Sequence, residues 1–137
     1  MLFQPRKIKY KKLKKCFLRK QCIETKVNKL KFGTIGLKFL ESTKISAAQL
    51  EMLRQIINRA INRKGKVWIR LFPMIPVSSK PTENRMGKGK GAIKYWVLPI
   101  KAGTVLFELQ GLSVQEATLA LTKVKRKLSN KTKIIFK

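Results

Sequence analysis

Three glycines alternate with long side chains in Arg85-Met86-Gly87-Lys88-Gly89-Lys90-Gly91, and Tyr95-Trp96 follows almost at once. Glycine carries no Cβ, so such a stretch brings its backbone amides close to a ligand, while one arginine and two lysines supply positive charge between the open positions. The chemistry this suits is recognition of a polyanion. Three phosphate-loop patterns are tested by spacing. A Walker A loop requires Gly-Lys followed by a Ser or Thr that binds the metal; here Lys88 precedes Gly89 and Lys90 precedes Gly91. The dinucleotide fingerprint and the kinase glycine loop both require Gly-x-Gly-x-x-Gly, whereas these glycines fall at 87, 89 and 91 and lead into a strand pattern. A nucleotide-binding enzyme is disfavoured on those grounds. Nucleic acid remains, and RNA in particular, since no helix-turn-helix or other groove-reading motif is present.

The charge balance agrees. The 137 residues include 33 Lys and Arg against 6 acids, a formal +27, and at 44% hydrophobic the chain still has material for a modest core. A chain this positive repels itself and implies a phosphate-rich partner. Every acid is a glutamate (Glu24, Glu41, Glu51, Glu83, Glu108, Glu116), and there is no Asp and no His. The sequence therefore offers no imidazole as base or metal ligand and no closely spaced carboxylate pair, so neither catalysis nor a metal or other cofactor is expected. Cys16 and Cys22 fall short of a zinc ligand set and are expected as free thiols. The longest run without a charge, the nine residues 71–79, contains two prolines, so no membrane-spanning helix is expected.

The elements that must hold the loop are read in order. Residues 1–29 form an extended basic arm, Lys-dominated and without Ser, which argues for an RNA-binding arm over a mitochondrial targeting peptide. Residues 30–137 are expected to form one domain with an exposed loop at 74–92. Residues 30–37, with Gly33 and Gly36, read as a bent strand, and 41–44 as a connector. Ser46 with Gln49 forms a capping box, Ile45 and Leu50 a hydrophobic staple, and Leu50, Leu53, Ile56, Ile57, Ala60 and Ile61 an apolar helical stripe closed by a left-handed Gly65. Residues 66–72 are a strand with Val67, Ile69 and Leu71 on one side and Trp68, Arg70 and Phe72 on the other. Residues 74–82, with two prolines, read as an exposed connection. Residues 93–100 and 104–110 are expected to pair as a hairpin around Lys101-Ala102-Gly103. A second helix opens at Ser113 with Glu116; its apolar stripe is Val114, Ala117, Leu121, Val124 and Leu128, flanked by Leu119 and Ala120. Ile134-Ile135-Phe136 ends the pattern as an edge strand. The fold class is α+β, a mainly antiparallel sheet with two amphipathic helices on one face. Trp68, Tyr95 and Trp96 are candidates for stacking on bases, although aromatics in strands more often pack in a core.

At this point the sequence resembles a known family. Lys64-Gly65-Lys66-Val67-Trp68-Ile69-Arg70-Leu71-Phe72-Pro73, then Lys80-Pro81, then Arg85-Met86-Gly87-Lys88-Gly89-Lys90-Gly91 and Tyr95-Trp96-Val97 closely resemble the universal large-subunit ribosomal protein family numbered sixteenth in bacteria. Pro5-Arg6-Lys7, Ser46-x-x-Gln49-Leu50-Glu51 and Gly103-x-Val105-Leu106-Phe107-Glu108 extend the similarity over almost the whole chain. The resemblance implies an α/β-hammerhead-like fold. It also implies a non-enzymatic role as a structural constituent of the large subunit, with ribosomal RNA, neighbouring large-subunit proteins and the A-site transfer RNA near the peptidyl-transferase centre as partners. Arg6, Lys7, Lys9, Lys11, Lys12, Lys14 and Lys15 of the arm, with Lys66 and Arg70, are the expected ribosomal-RNA-binding residues. Arg85, Met86, Gly87, Lys88, Gly89, Lys90 and Gly91 are expected to reach toward the transfer RNA and the functional centre. The second half of the arm departs from the bacterial pattern. A Lys, Asn, Ile and Phe bias and the apparent lack of a cleavable presequence suggest a mitochondrial ribosome rather than a plastid or bacterial one. The alternative is an autonomous basic RNA-binding chaperone or packaging protein.

Overall fold

The computed structural model describes residues 3–10, 12–14 and 23–137. Cys16 and Cys22 lie outside that set, as do Lys11 and Lys15. The elements are β1 (Ile35–Phe39), β2 (Thr43–Ser46), α1 (Ala47–Ala60), β3 (Lys66–Ile69), β4 (Ile75–Ser79), β5 (Ala92–Ile100), β6 (Val105–Gln110), α2 (Val114–Lys127) and β7 (Thr132–Phe136). The class is α+β, and the pairings between these strands are antiparallel. Among the described residues no helix is long and apolar enough to cross a membrane.

The strands divide into two sheets, ordered β3-β6-β1-β7 and β2-β5-β4. This corrects the hairpin expected around residues 101–103. β5 pairs with β2 and β4, and β6 pairs with β1 and β3, so the turn carries the chain from one sheet to the other. Two stretches read as connectors are strands. Residues 43–46 form β2, and Ile75–Ser79 form β4 despite Pro76, because an edge strand tolerates a missing donor.

Both helices start as their sequences dictate. The Gln49 amide donates to Ser46 Oγ (3.2 Å) and the Ser46 amide to Gln49 Oε1 (2.9 Å). Ser113 and Glu116 repeat the box, with the Glu116 amide donating to Ser113 Oγ at 3.3 Å. α1 packs on α2, on β2 and on β5, while α2 packs on β1 and β7. Leu50, Leu53, Ile57, Ile61, Ala117, Ala120, Leu121 and Val124 share one core with Ile35, Leu37, Phe39, Phe107 and Leu109. Ile45 joins them, as the staple requires. Val114 and Leu119 do not, being 60% and 65% exposed. Leu119 is two residues from both Ala117 and Leu121, which turns it away from their stripe. α1 also ends earlier than Gly65. Asn62 and Arg63 are the left-handed residues after the Ile61 cap, and Gly65 (φ +70°) serves the turn into β3.

The four-stranded sheet has a second face, and one carboxylate organises it. Glu108 is fully buried opposite Gly36 of β1 and Trp68 of β3. Its oxygens accept from the amides of Lys31 (3.1 Å), Phe32 (2.7 Å) and Gly33 (2.8 Å), and from the Arg70 guanidinium. Arg70 also donates to the Lys29 carbonyl at 3.2 Å. Residues 24–33 are thereby drawn over this face, with the Val105 amide donating to the Val27 carbonyl (2.8 Å) and the Glu24 amide to Ala102 (2.8 Å). Gly33 is required by this approach, since a Cβ there would stand 2.6 Å from the Leu109 carbonyl oxygen. Burial pushes the Glu108 carboxyl upward, but the hydrogen bonds from Gly33, Arg70, Phe32 and Lys31 outweigh it and hold the group below its ordinary value.

A carboxyl held low in the folded state contributes stability that is complete above its unfolded pKa, about 4.3, and is lost as pH falls through the folded value. Glu108→Gln leaves Arg70 buried without its counter-charge, so we expect a loss of about 3–5 kcal/mol at neutral pH by urea unfolding. The variant's stability should also fall less steeply than the parent's as pH is lowered below about 4.3. Equal midpoints at neutral pH would show that the cradle contributes nothing net.

Candidate nucleic-acid interface

β4 and β5 form a long antiparallel pair, from Ile75 opposite Val97 to Ser79 opposite Ala92, and residues 80–91 project from its end. The base of the loop is narrow. A Cβ on Gly91 would lie 2.2 Å from the Ser79 carbonyl oxygen, so only glycine passes there without moving backbone. Within the loop the Lys80 ammonium donates to the Gly87 carbonyl, and the Asn84 amide to that of Pro81 (3.2 Å). Gly87, Lys88 and Gly89 are consecutive left-handed residues (φ +99°, +51° and +80°). Beyond the base the loop touches little: residues 81–90 are all exposed, Met86 at 99%, and no atom lies within 4 Å of a Cβ placed at Gly87 or Gly89. Arg85, Lys88 and Lys90 face Glu83 as the loop's one acid. Such a projection offers cations and unencumbered backbone to a surface, not an enclosed socket to a small molecule. Among the described residues no group of three His, Cys, Asp or Glu stands ready to hold a metal ion.

The arm and the loop, separate in the sequence, meet in the structure. The Lys12 ammonium donates to the Lys90 carbonyl at 2.7 Å, and the Lys90 ammonium to the Leu13 carbonyl at 2.7 Å. A cavity of about 840 Å³ opens beside this contact, lined among others by Leu13, Lys14, Lys44, Lys90, Tyr95 and Val97. Arg6, Lys7, Lys9, Lys12 and Lys14 are exposed. Lys66 is exposed on β3, but Arg70 differs: its guanidinium is 11% exposed and committed to Glu108. Arg70 thus holds the outer face together rather than offering a free charge. The aromatic candidates also separate. Trp96 is buried, Tyr95 is 45% exposed, and Trp68 lies on the outer face beside Phe32. Sequence reasoning overlooked Phe32 and the Glu108 cradle. The available signal was a lone glutamate between Phe107 and Leu109 in a strand otherwise fit for burial, which requires a partner.

Gly91→Ala is expected to destabilise the protein by about 1–3 kcal/mol, because overpacking at the loop base displaces the Ser79 backbone. Lys88→Ala, at a position touching solvent, should stay within about 0.5 kcal/mol, both variants being compared with the parent by thermal melts. Comparable losses from both would mean that the loop tip is packed.

Comparison with known proteins places this arrangement. The family model "Ribosomal protein L16p/L10e" matches residues 5–135. The large ribosomal subunit protein uL16 of Sphingopyxis alaskensis is 46% identical over 134 residues, covering 98% of this chain and 92% of that protein. Those of Borrelia duttonii and Buchnera aphidicola subsp. Cinara cedri are 43% and 40% identical over 136 residues, covering 99% of this chain and 97% and 98% of theirs. A family match across nearly every described element, with relatives at this identity over nearly their whole length, leaves one conclusion: the chain belongs to the ribosomal protein L16p/L10e family, a family of large-subunit ribosomal proteins and not of enzymes.

Proposed function

We propose that this protein works in the large ribosomal subunit as a ribosomal-RNA-binding constituent. Its loop Arg85, Met86, Gly87, Lys88, Gly89, Lys90 and Gly91 is directed at the A-site transfer RNA near the peptidyl-transferase centre. The observation that carries this reading is the wholly exposed, cationic projection at residues 81–90, held at a narrow base and free of neighbours at its glycines. Positive side chains neutralise phosphates, and a loop without Cβ atoms at alternate positions approaches a folded RNA surface closely. In this reading residues 1–29 are an arm that enters the ribosomal RNA through Arg6, Lys7, Lys9, Lys11, Lys12, Lys14 and Lys15, with Lys66 adding a contact on the domain of residues 30–137. The Lys12–Lys90 contact sets the arm against the loop, so one element anchors what the other presents.

The bias toward Lys, Asn, Ile and Phe supports a mitochondrial ribosome, in the matrix, although the relatives named above are bacterial. Organelle-specific translation inhibitors should then stop synthesis of the chain. Production that continues would place its synthesis elsewhere.

Two further outcomes test the division of labour. Arg85→Ala should leave the tagged chain in the large-subunit peak while slowing translation, whereas deletion of residues 1–15 should remove it from the peak. The reverse pattern would overturn the roles given to arm and loop. Free chain binding naked ribosomal RNA should weaken by roughly three to five decades between about 50 and 200 mM salt. Chain built into the subunit should stay with it through the same wash, where a free-standing RNA chaperone would dissociate.

A further inference from the structure

The outer face of the four-stranded sheet carries an aromatic pair that the loop and arm do not use. Phe32 and Trp68 stack with ring centroids 6.1 Å apart and planes 17° from parallel. Phe32 is 47% exposed and Trp68 half-buried, so the pair is a surface feature and not core. Cations surround it. The Lys31 ammonium lies 5.5 Å from the Phe32 centroid, the Lys66 ammonium 5.9 Å from the Trp68 centroid, and the Arg70 guanidinium 5.4 Å from Phe32. The backbone of both residues meets the same group: the Phe32 amide donates to Glu108, and Trp68 sits opposite Glu108 in the strand register.

We infer that Phe32 and Trp68 form a stacking platform for an unpaired base of RNA, with Lys31 and Lys66 receiving the phosphates on either side. Nearly parallel rings at the surface, one exposed and one half-buried, present a face that any nucleobase fits, and flanking ammonium groups within a nucleotide's length supply the charge its backbone requires. A paired duplex buries its base faces and cannot use such a surface. A protein partner would have to bring apolar area and acids together, whereas an unpaired nucleotide combines a flat apolar face and an anionic backbone in one unit. The platform rests on the ribosomal RNA reading above and adds to it a second contact, on a different face from the loop.

The two tryptophans of the chain report differently, since Trp96 is only 9% exposed. The full chain is titrated with protein-free large-subunit ribosomal RNA, with an unpaired oligoadenylate of about ten nucleotides, and with a duplex of equal length. Tryptophan fluorescence should be quenched by the oligoadenylate and not by the duplex, and the quenching should vanish in Trp68→Phe. Phe32→Leu should weaken oligoadenylate binding roughly five- to a hundredfold, as loss of one stacked base predicts, with the salt dependence unchanged. Phe32→Tyr should restore it. Lys66→Gln, at an exposed position, should instead lower the salt slope by about one while keeping the quenching. Quenching that persists in Trp68→Phe, equal quenching by the duplex, or unchanged affinity in a folded Phe32→Leu chain overturns the platform. So does photocross-linking of this face to a protein instead of RNA in large-subunit particles. Failure of the parent chain to bind any of the RNAs removes the ribosomal RNA reading itself; binding without quenching removes the platform alone.

Discussion

Glu108 stands in β6 with no solvent contact, and its charge is met by three successive backbone amides and one guanidinium. A buried carboxylate is tolerated only when such partners are complete, because the desolvation cost of the ion exceeds the net benefit of any one of its bonds. The constraint works in both directions. It obliges residues 31–33 to present their amides to one point, and it holds Arg70, which follows β3, in the same place. The surface of the outer sheet face, with Phe32, Trp68, Lys31 and Lys66, follows from that obligation. The helix side of the sheet is held by ordinary apolar burial, the outer side by the partners of Glu108.

The second sheet answers a different need. β5 is shared between β2, which leads straight into α1, and β4, which is the edge from which the loop springs. One end of the β4–β5 pair is therefore tied to the core through Val97, Leu98 and Ile100, while the other end, at Ala92 and Ser79, carries the loop outward. A projection built this way is stiff at its root and unconstrained at its tip. The arm reinforces the root, since Lys12 and Leu13 bond the last cation of the loop. In the proposed RNA-binding role, separating the stabilising core from the presenting loop lets each be composed for its own task.

What the sequence made legible follows the range of the interactions concerned. Ser46 with Gln49 and Ser113 with Glu116 are local rules, each closing within one turn, and both helices begin where they predict. The glycines at 87, 89 and 91 likewise announced an exposed loop, because their spacing leaves a stretch with little to bury. Errors arose where the deciding partner is distant. Lys101-Ala102-Gly103 reads as a hairpin turn, yet β5 and β6 find β4, β2, β1 and β3 as neighbours instead of each other. Pro76 disguised β4, and only its place at a sheet edge makes the proline acceptable. Arg70 looked like one more free cation, and nothing near it in the chain discloses that Glu108 takes its charge. Family resemblance supplied the identity that these local rules do not reach.

The position of β1 sets a timetable for making the protein. β1 lies inside the four-stranded sheet, with Ile35 opposite Leu109 on one side and Phe136 on the other. Neither neighbour exists while the early strands are leaving the exit tunnel, so β1 must wait with both edges unpaired until β6 and β7 have been synthesised. Contacts this remote close slowly, since much loop entropy is lost before any pairing is formed. During that delay the nascent chain is a long cation with open strand edges, prone to adhere to whatever nucleic acid lies nearby.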